Sequence, residues 1–345
     1  MKTKTLVALA IVAGMVGVVA SPASAASSTT DFEPVGFVPG ITVHNRMPDG
    51  TLAVPPISGI NPDAQAWSVG QAGVDEMVVD ITGTDPAHGK VWRISDQAET
   101  GDLQNRPHAP QSGGFSGETT AIDDFGNETP TSNEYYARID FRSATGAAQP
   151  GMLMDVTGAC GDDCRHGYVR TIDGGDGLDL RLFDTGDNTG AGSCGTFVTH
   201  DADTNLSYGD WHTLEIEVTF IDGFAGAPGE AGNDVVDIWV DGTKVLSGTS
   251  WETCYAFTGS GEPRGIDRLA FSRASAGMSE VGGGLYFDNV MISDQLPERA
   301  ATPASTEDCR KGGWQSLTDD DGRPFRNQGD CVSYVATGAG NAAAG

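Results

Sequence analysis

The sequence predicts an all-β protein folded as a sandwich of two antiparallel sheets. Three observations predict it. The 345 residues include 48 glycines and a wide spread of Thr and Val, and after residue 26 they hold no long stretch of the Leu, Ala, Glu and Lys that build helices. Apolar and polar residues alternate over short runs, which is the two-residue period of a strand with one face buried. Those runs are bounded at close intervals by Gly, Asp, Asn and Pro, with no helical period between them, so the strands connect through tight turns.

Residues 1–25 open with Lys2 and Lys4, run apolar from Leu6 to Ala20 and end on Ala23, Ser24 and Ala25. A basic start, an apolar middle and a small-residue exit make a secretory signal, so the chain is expected to be exported and cut before Ala26. No Cys follows the cut, the LPERA sequence at 296–300 lacks the rest of a sortase signal, and no other run approaches membrane-spanning length. Release into the medium is therefore expected.

Strands are expected at 90–95, 134–143, 167–172, 178–183, 212–220, 234–248, 266–272 and 284–293. In the second of these, Tyr135, Ala137, Ile139 and Phe141 share one face while Tyr136, Arg138, Asp140 and Arg142 share the other. In 212–220, Leu214, Ile216, Val218 and Phe220 oppose Glu215, Glu217 and Thr219. In 234–248, Val236, Ile238 and Val240 oppose Asp237 and Trp239, and Asp241-Gly242 supplies a hairpin turn. The Gly-rich stretch at 223–233 reads as a flexible loop between two strands. Trp92 is expected in the core, with Trp67, Trp211 and Trp251 packing at strand starts or in loops.

These limits give one sandwich over 26–296. Residues 297–307, rich in Pro, Ala, Ser and Thr, are expected to be a linker. A small module over 308–336 follows, then a disordered end at 337–345. All six Cys lie in the exported part, an even number suited to disulfides. Cys309 and Cys331 bracket the tail module, which is too small for a core of its own and gains most from a cross-link. They are expected to pair with each other. Of the three ways to join the remaining four, Cys160 with Cys164 and Cys194 with Cys254 are preferred.

Twenty Lys and Arg stand against 48 Asp and Glu, a formal charge of −28. Nucleic acid and anionic membranes bind through clustered basic residues, so both are poor partners here. A search for catalytic signatures finds no His-Glu-x-x-His, no Gly-x-Ser-x-Gly and no phosphate-binding loop, and the six His are scattered.

Several segments carry a resemblance. DFEPVGFVPG, ISGINPDAQAWSV, GKVWRISD, Gly117-Glu118, WHTLEIEVTF, VDIWVDG and GLYFDNVMIS resemble bacterial concanavalin A-like, or laminin-G-like, jelly-roll domains across nearly the whole core. The tail DCRKGGWQSLTDDDGRPFRNQGDCVSYV resembles a short Cys-bracketed motif at the ends of secreted bacterial proteins. The resemblance implies a jelly-roll sandwich, and that fold serves lectins, carbohydrate-binding modules, hydrolases, lyases and adhesion modules alike. Jelly-roll hydrolases of the laminarinase type use a Glu-x-Asp-x-x-Glu strand. Glu215-x-Glu217 comes nearest, but Thr219 follows and a solvated strand face explains the pair. Jelly-roll lyases line a sheet with Arg, His or Gln and Tyr; Tyr136, Arg138 and Arg142 on one strand, with Arg93, His166, Tyr168 and Arg170 elsewhere, are the residues available for such an arrangement.

Trp239 carries the binding reading. It projects from the non-core side of its strand beside Asp237, where an aromatic ring can stack on a sugar and carboxylates can accept its hydroxyl hydrogens. Cover by a loop or the N-terminal segment is the alternative. Asp237, Trp239, Glu215, Glu217, Tyr136, Arg138 and Arg142 are the expected ligand-binding residues. Acidic residues crowd the loops from Asp155 to Asp203, where either one bound calcium or a solvated acidic surface is expected. The function that best fits is secreted, non-enzymatic binding of extracellular or cell-wall glycan. A glycoside hydrolase or polysaccharide lyase on the same fold is the second reading, and a structural surface or matrix protein the third.

Overall fold

The computed structural model describes residues 27–33, 39, 75–95, 116–118, 130–160, 164–184, 197–223, 233–252, 265–273 and 282–338. The expected signal peptide, Trp67, Cys194, Cys254, the loop at 224–232 and residues 339–345 lie outside them, as do the side chains of Cys160 and Cys164.

In chain order the described residues form β1 (Ser27–Thr30), β2 (Glu76–Asp80), β3 (Lys90–Ile94), β4 (Ser116–Gly117), β5 (Glu134–Ser143), β6 (Leu153–Cys160), β7 (Cys164–Arg165) and β8 (Tyr168–Asp173). They continue with β9 (Leu178–Asp184), β10 (Val198–Leu206), β11 (His212–Thr219), β12 (Val235–Val240), β13 (Thr243–Gly248), β14 (Gly265–Ile266), β15 (Arg268–Arg273), β16 (Leu285–Ser293), a short 3-10 turn (Gly313–Ser316) and the α-helix α1 (Gln328–Ala336). The larger sheet runs β13-β12-β11-β5-β16-β3-β2, with β1 also paired to β16, and the smaller runs β10-β9-β8-β6-β15, with β7 on β6. Their ladders are antiparallel. The protein is a two-sheet jelly-roll sandwich, as the alternation and the resemblance predict.

The core is the sum of the inward faces. Tyr135, Ala137, Ile139 and Phe141 of β5 and Leu214, Ile216 and Val218 of β11 meet Met154, Val156, Leu180, Leu182 and Phe271 from the other sheet, all buried. Trp92 lies among them, edge-on to Phe271 at 4.8 Å, and its indole N–H donates to Glu76. Asp241 and Gly242 close the β12–β13 hairpin with φ of 50° and 77°, the primed turn that matches strand twist. Gly284 has φ of 84°, and a Cβ there would lie 2.0 Å from the Ile94 carbonyl oxygen, so only glycine lets β16 start against β3.

The tail module closes as predicted: Cys309 and Cys331 are bonded. Phe325 and Tyr334 pack beside them, and Asn327 caps α1 by accepting from the Asp330 N–H. The segment 297–307, expected as a linker, is held to both of its neighbours. Arg299 is anchored on the larger sheet, and Thr318 of the tail bonds the carbonyls of Ala300 and Ala301. The Lys244 N–H of β13 donates to the Asp321 carbonyl at 2.7 Å, so strap and module lie against the sandwich.

Candidate ligand-binding surface

Register brings most of the expected ligand-binding residues together. Trp239 lies opposite Glu215 and Asp237 opposite Glu217 in the β11–β12 ladder, while Arg138 lies opposite Glu215 and Tyr136 opposite Glu217 in the β5–β11 ladder. Arg142 falls farther along β5, where it pairs with Asp85 and sits over the Trp211 ring at 5.0 Å. Trp211 does pack, stacked on His88 at 3.9 Å.

The face they form is covered. Trp239 is only 6 % exposed: the Arg299 guanidinium stacks on its ring at 3.9 Å, and Gly322 of the tail approaches so closely that a Cβ there would lie 2.6 Å from the ring. Arg299 donates from Nε to Glu217 at 2.9 Å and from Nη2 to Glu215, and the Trp239 indole donates to Glu217 at 3.0 Å. Burial raises the Glu217 carboxyl and Arg299 opposes that rise. Burial, with Glu215 beside it, pushes the Tyr136 hydroxyl up to about 12. The expectation of an open Trp239 is corrected: the alternation places the indole outside the core as read, and a downstream segment then covers it. The cover comes from the C-terminal side of the chain.

The lyase arrangement does not assemble either. Arg93 lies on β3, two strands from β5 in the same larger sheet, but it is buried and paired with Asp75 at 2.5 Å. His166 is buried edge-on against core Phe220. Tyr168 and Arg170 alone remain on one face, the outer side of the smaller sheet.

That outer face has its own order. Registers place Asp155, Arg170, Arg181 and Asp201 in one line across β6, β8, β9 and β10. Arg170 grips Asp155 with two bonds of 2.7 and 3.0 Å, and Arg181 grips Asp201 in the same two-pronged way. The hydrogen bond from Arg181 holds the Asp201 carboxyl below its ordinary value. The neighbouring line pairs Tyr168 with Phe183 and Phe183 with Thr199. Arg170 lies over the Phe183 ring at 4.4 Å. Phe197 packs on Trp251 at 4.8 Å, Tyr168 meets Trp251 edge-on at 4.9 Å, and the Trp251 indole donates to the Phe183 carbonyl. Phe197 is 42 % and Val198 39 % exposed; among the described residues they are the large apolar side chains left open to water. The outward alternation of Arg181 and Phe183 in LDLRLFD was the sequence signal for this patch.

Several acidic residues between Asp155 and Asp203 bond other parts of the chain. Asp155 and Asp201 belong to arginines, Asp184 bonds His200 at 2.7 Å, and Asp173 accepts from the Gly175 N–H and the Tyr208 hydroxyl. Residues 161–163 and 185–196 lie outside the described residues.

No family model matches the sequence and no curated protein matches it. Among solved structures the chain is similar to an endo-β-1,4-glucuronan lyase from the fungus Trichoderma reesei, with 14% identity, a TM-score of 0.35, and cover of 66% of this chain and 93% of that one. It is similar to alginate lyase Aly36B at 12% identity and TM-score 0.35, covering 77% and 96%. It is similar also to galectin LEC-6 of Caenorhabditis elegans at 11% identity and TM-score 0.27, covering 52% and 93%.

Proposed function

We propose that the protein is a secreted, non-enzymatic glycan-binding module whose sugar site is the outer face of the smaller sheet. Phe197 carries this reading: a large aromatic ring 42 % exposed, backed by Trp251, on a sheet face that also presents Tyr168, Phe183 and two fixed Arg-Asp pairs. Exposed rings stack on the apolar faces of sugars, and rigid charged pairs give hydroxyls both donors and acceptors. Binding fits this face better than cleavage. Asp155 and Asp201 are each held by two bonds from an arginine, and the Arg181 bond favours the ionised form of Asp201, which suits a fixed acceptor better than a proton donor. The same pairs neutralise both arginines, and the chain carries −28, so a neutral extracellular or cell-wall polysaccharide suits it better than a polyuronate.

Passing the protein over a panel of immobilised polysaccharides, while assaying for new reducing or unsaturated ends, tests the proposal. Retention without new ends is expected, and Phe197→Ala should weaken it about tenfold with an unchanged melting temperature, the loss of one stacking contact worth about 1.4 kcal/mol. Retention indifferent to Phe197→Ala, or failure to bind any glycan, would overturn the reading. New ends would replace it with a glycan-cleaving enzyme.

A further inference from the structure

Three carboxyls meet inside the protein. Glu118 follows β4, Asp234 precedes β12 and Glu252 follows β13; they are 2 %, 0 % and 0 % exposed. One oxygen of each lies within 4.8 Å of the others. The Asp234 carboxyl accepts from the Ile221 N–H at 3.0 Å and from the Ser250 hydroxyl, and Glu252 Oε1 accepts from the Asp234 N–H at 2.9 Å. These bonds fix Asp234 and one oxygen of Glu252.

The second Glu252 oxygen, Oε2, is fully buried and accepts no hydrogen bond among the described residues. Ionised carboxylates only accept, so three of them this close together need a proton or a cation between them. The hydroxyl of Ser116, two residues before Glu118, is a further buried group with no hydrogen-bond partner among the described residues.

We propose that this interior pocket binds one calcium ion, with Glu118, Asp234 and Glu252 as its carboxylate ligands. The donors are all oxygens, which selects a hard cation over zinc. Their span is no wider than two calcium–oxygen bonds of about 2.4 Å laid end to end. Magnesium bonds are shorter and the ion keeps several waters, for which three such buried residues leave little room. The ion would tie together the three connections that carry its ligands. Neither the glycan reading nor the acidic loops between Asp155 and Asp203 enter this argument.

The test uses the full-length protein stripped with chelator, then dialysed against micromolar calcium. Metal analysis should find one calcium per chain, calorimetry should follow its uptake, and the melting temperature should rise with calcium but not with sodium at equal ionic strength. Glu252→Gln and Glu118→Gln keep the side-chain shape and should each lower calcium affinity about tenfold or more. Should one of them not fold, the other carries the comparison. No calcium on the native protein would overturn the proposal and leave a shared proton as the bridge. Calcium bound equally well by both variants would also overturn it, because the ion would then lie elsewhere.

Discussion

Arg299 is bonded to two carboxylates on one strand while its flat guanidinium lies on the indole of the next. Each contact supports the others, because the stack sets the plane from which its N–H groups reach Glu215 and Glu217. Removing it leaves two part-buried carboxylates on one strand without the cation that bonds both. Arg299→Ala is therefore expected to cost about 1.5 to 3 kcal/mol at neutral pH. The cost has a pH signature. Glu217 is already raised above its ordinary 4.5 by burial and is held down by Arg299, so without the arginine its folded value rises further. A raised folded value means stability lost as pH climbs, and the variant loses more. The gap between variant and native protein should widen from acid to neutral pH and close again below the glutamate range. Urea melts at several pH values check this, and a gap that does not change with pH would show the glutamates to be indifferent to Arg299.

The long, cleanly alternating strands were legible, whereas β2, β6 and β10 were not. β5, β11 and β12 alternate cleanly because one face meets the core, so their faces and the Asp241-Gly242 turn could be read from the residues. β10 was missed: VTHDADTNL carries Asp201 and Asp203 on an edge strand whose residues are all at least partly exposed, and it pairs through backbone bonds that no side-chain pattern announces. The site divided in the same way. Alternation showed which side of β12 Trp239 takes, but not Arg299, which lies 60 residues downstream in a segment with no period. In the tail the Cys spacing was the signal, and it sufficed. The Cys309–Cys331 bond spans 22 residues, a loop whose closure is worth about 3 kcal/mol to so small a module. Changing both Cys to Ser should expose Tyr334 and leave α1 open to proteolysis near Gln328, while β5 and β11 stay protected from hydrogen exchange. Tail protection equal to that of the native protein would mean that docking alone folds it.

Across the whole molecule the question is whether tail and sandwich form one cooperative unit. The strap continues directly from β16 and sets Arg299 on the larger sheet, the module bonds β13 through Lys244 and Asp321, and Gly322 lies on the Trp239 ring with φ of 77° and no room for a Cβ. An independent module on a free linker would share none of these contacts. Ending the chain at residue 296 removes the cover and the counter-charge together, leaving Trp239, Tyr136, Glu215 and Glu217 facing water. The shortened protein should melt several degrees lower, since about 2 kcal/mol moves a midpoint by roughly 4 to 8 °C in a domain of this size. The native protein should melt in one transition that includes the tail. Trp239 gives the local readout: comparing each form with its Trp239→Phe partner, indole fluorescence should be reached by iodide in the shortened protein and shielded in the native one. A separate low-temperature transition in the native protein, or equal iodide access in both forms, would show that the tail rides on the sandwich without being part of its fold.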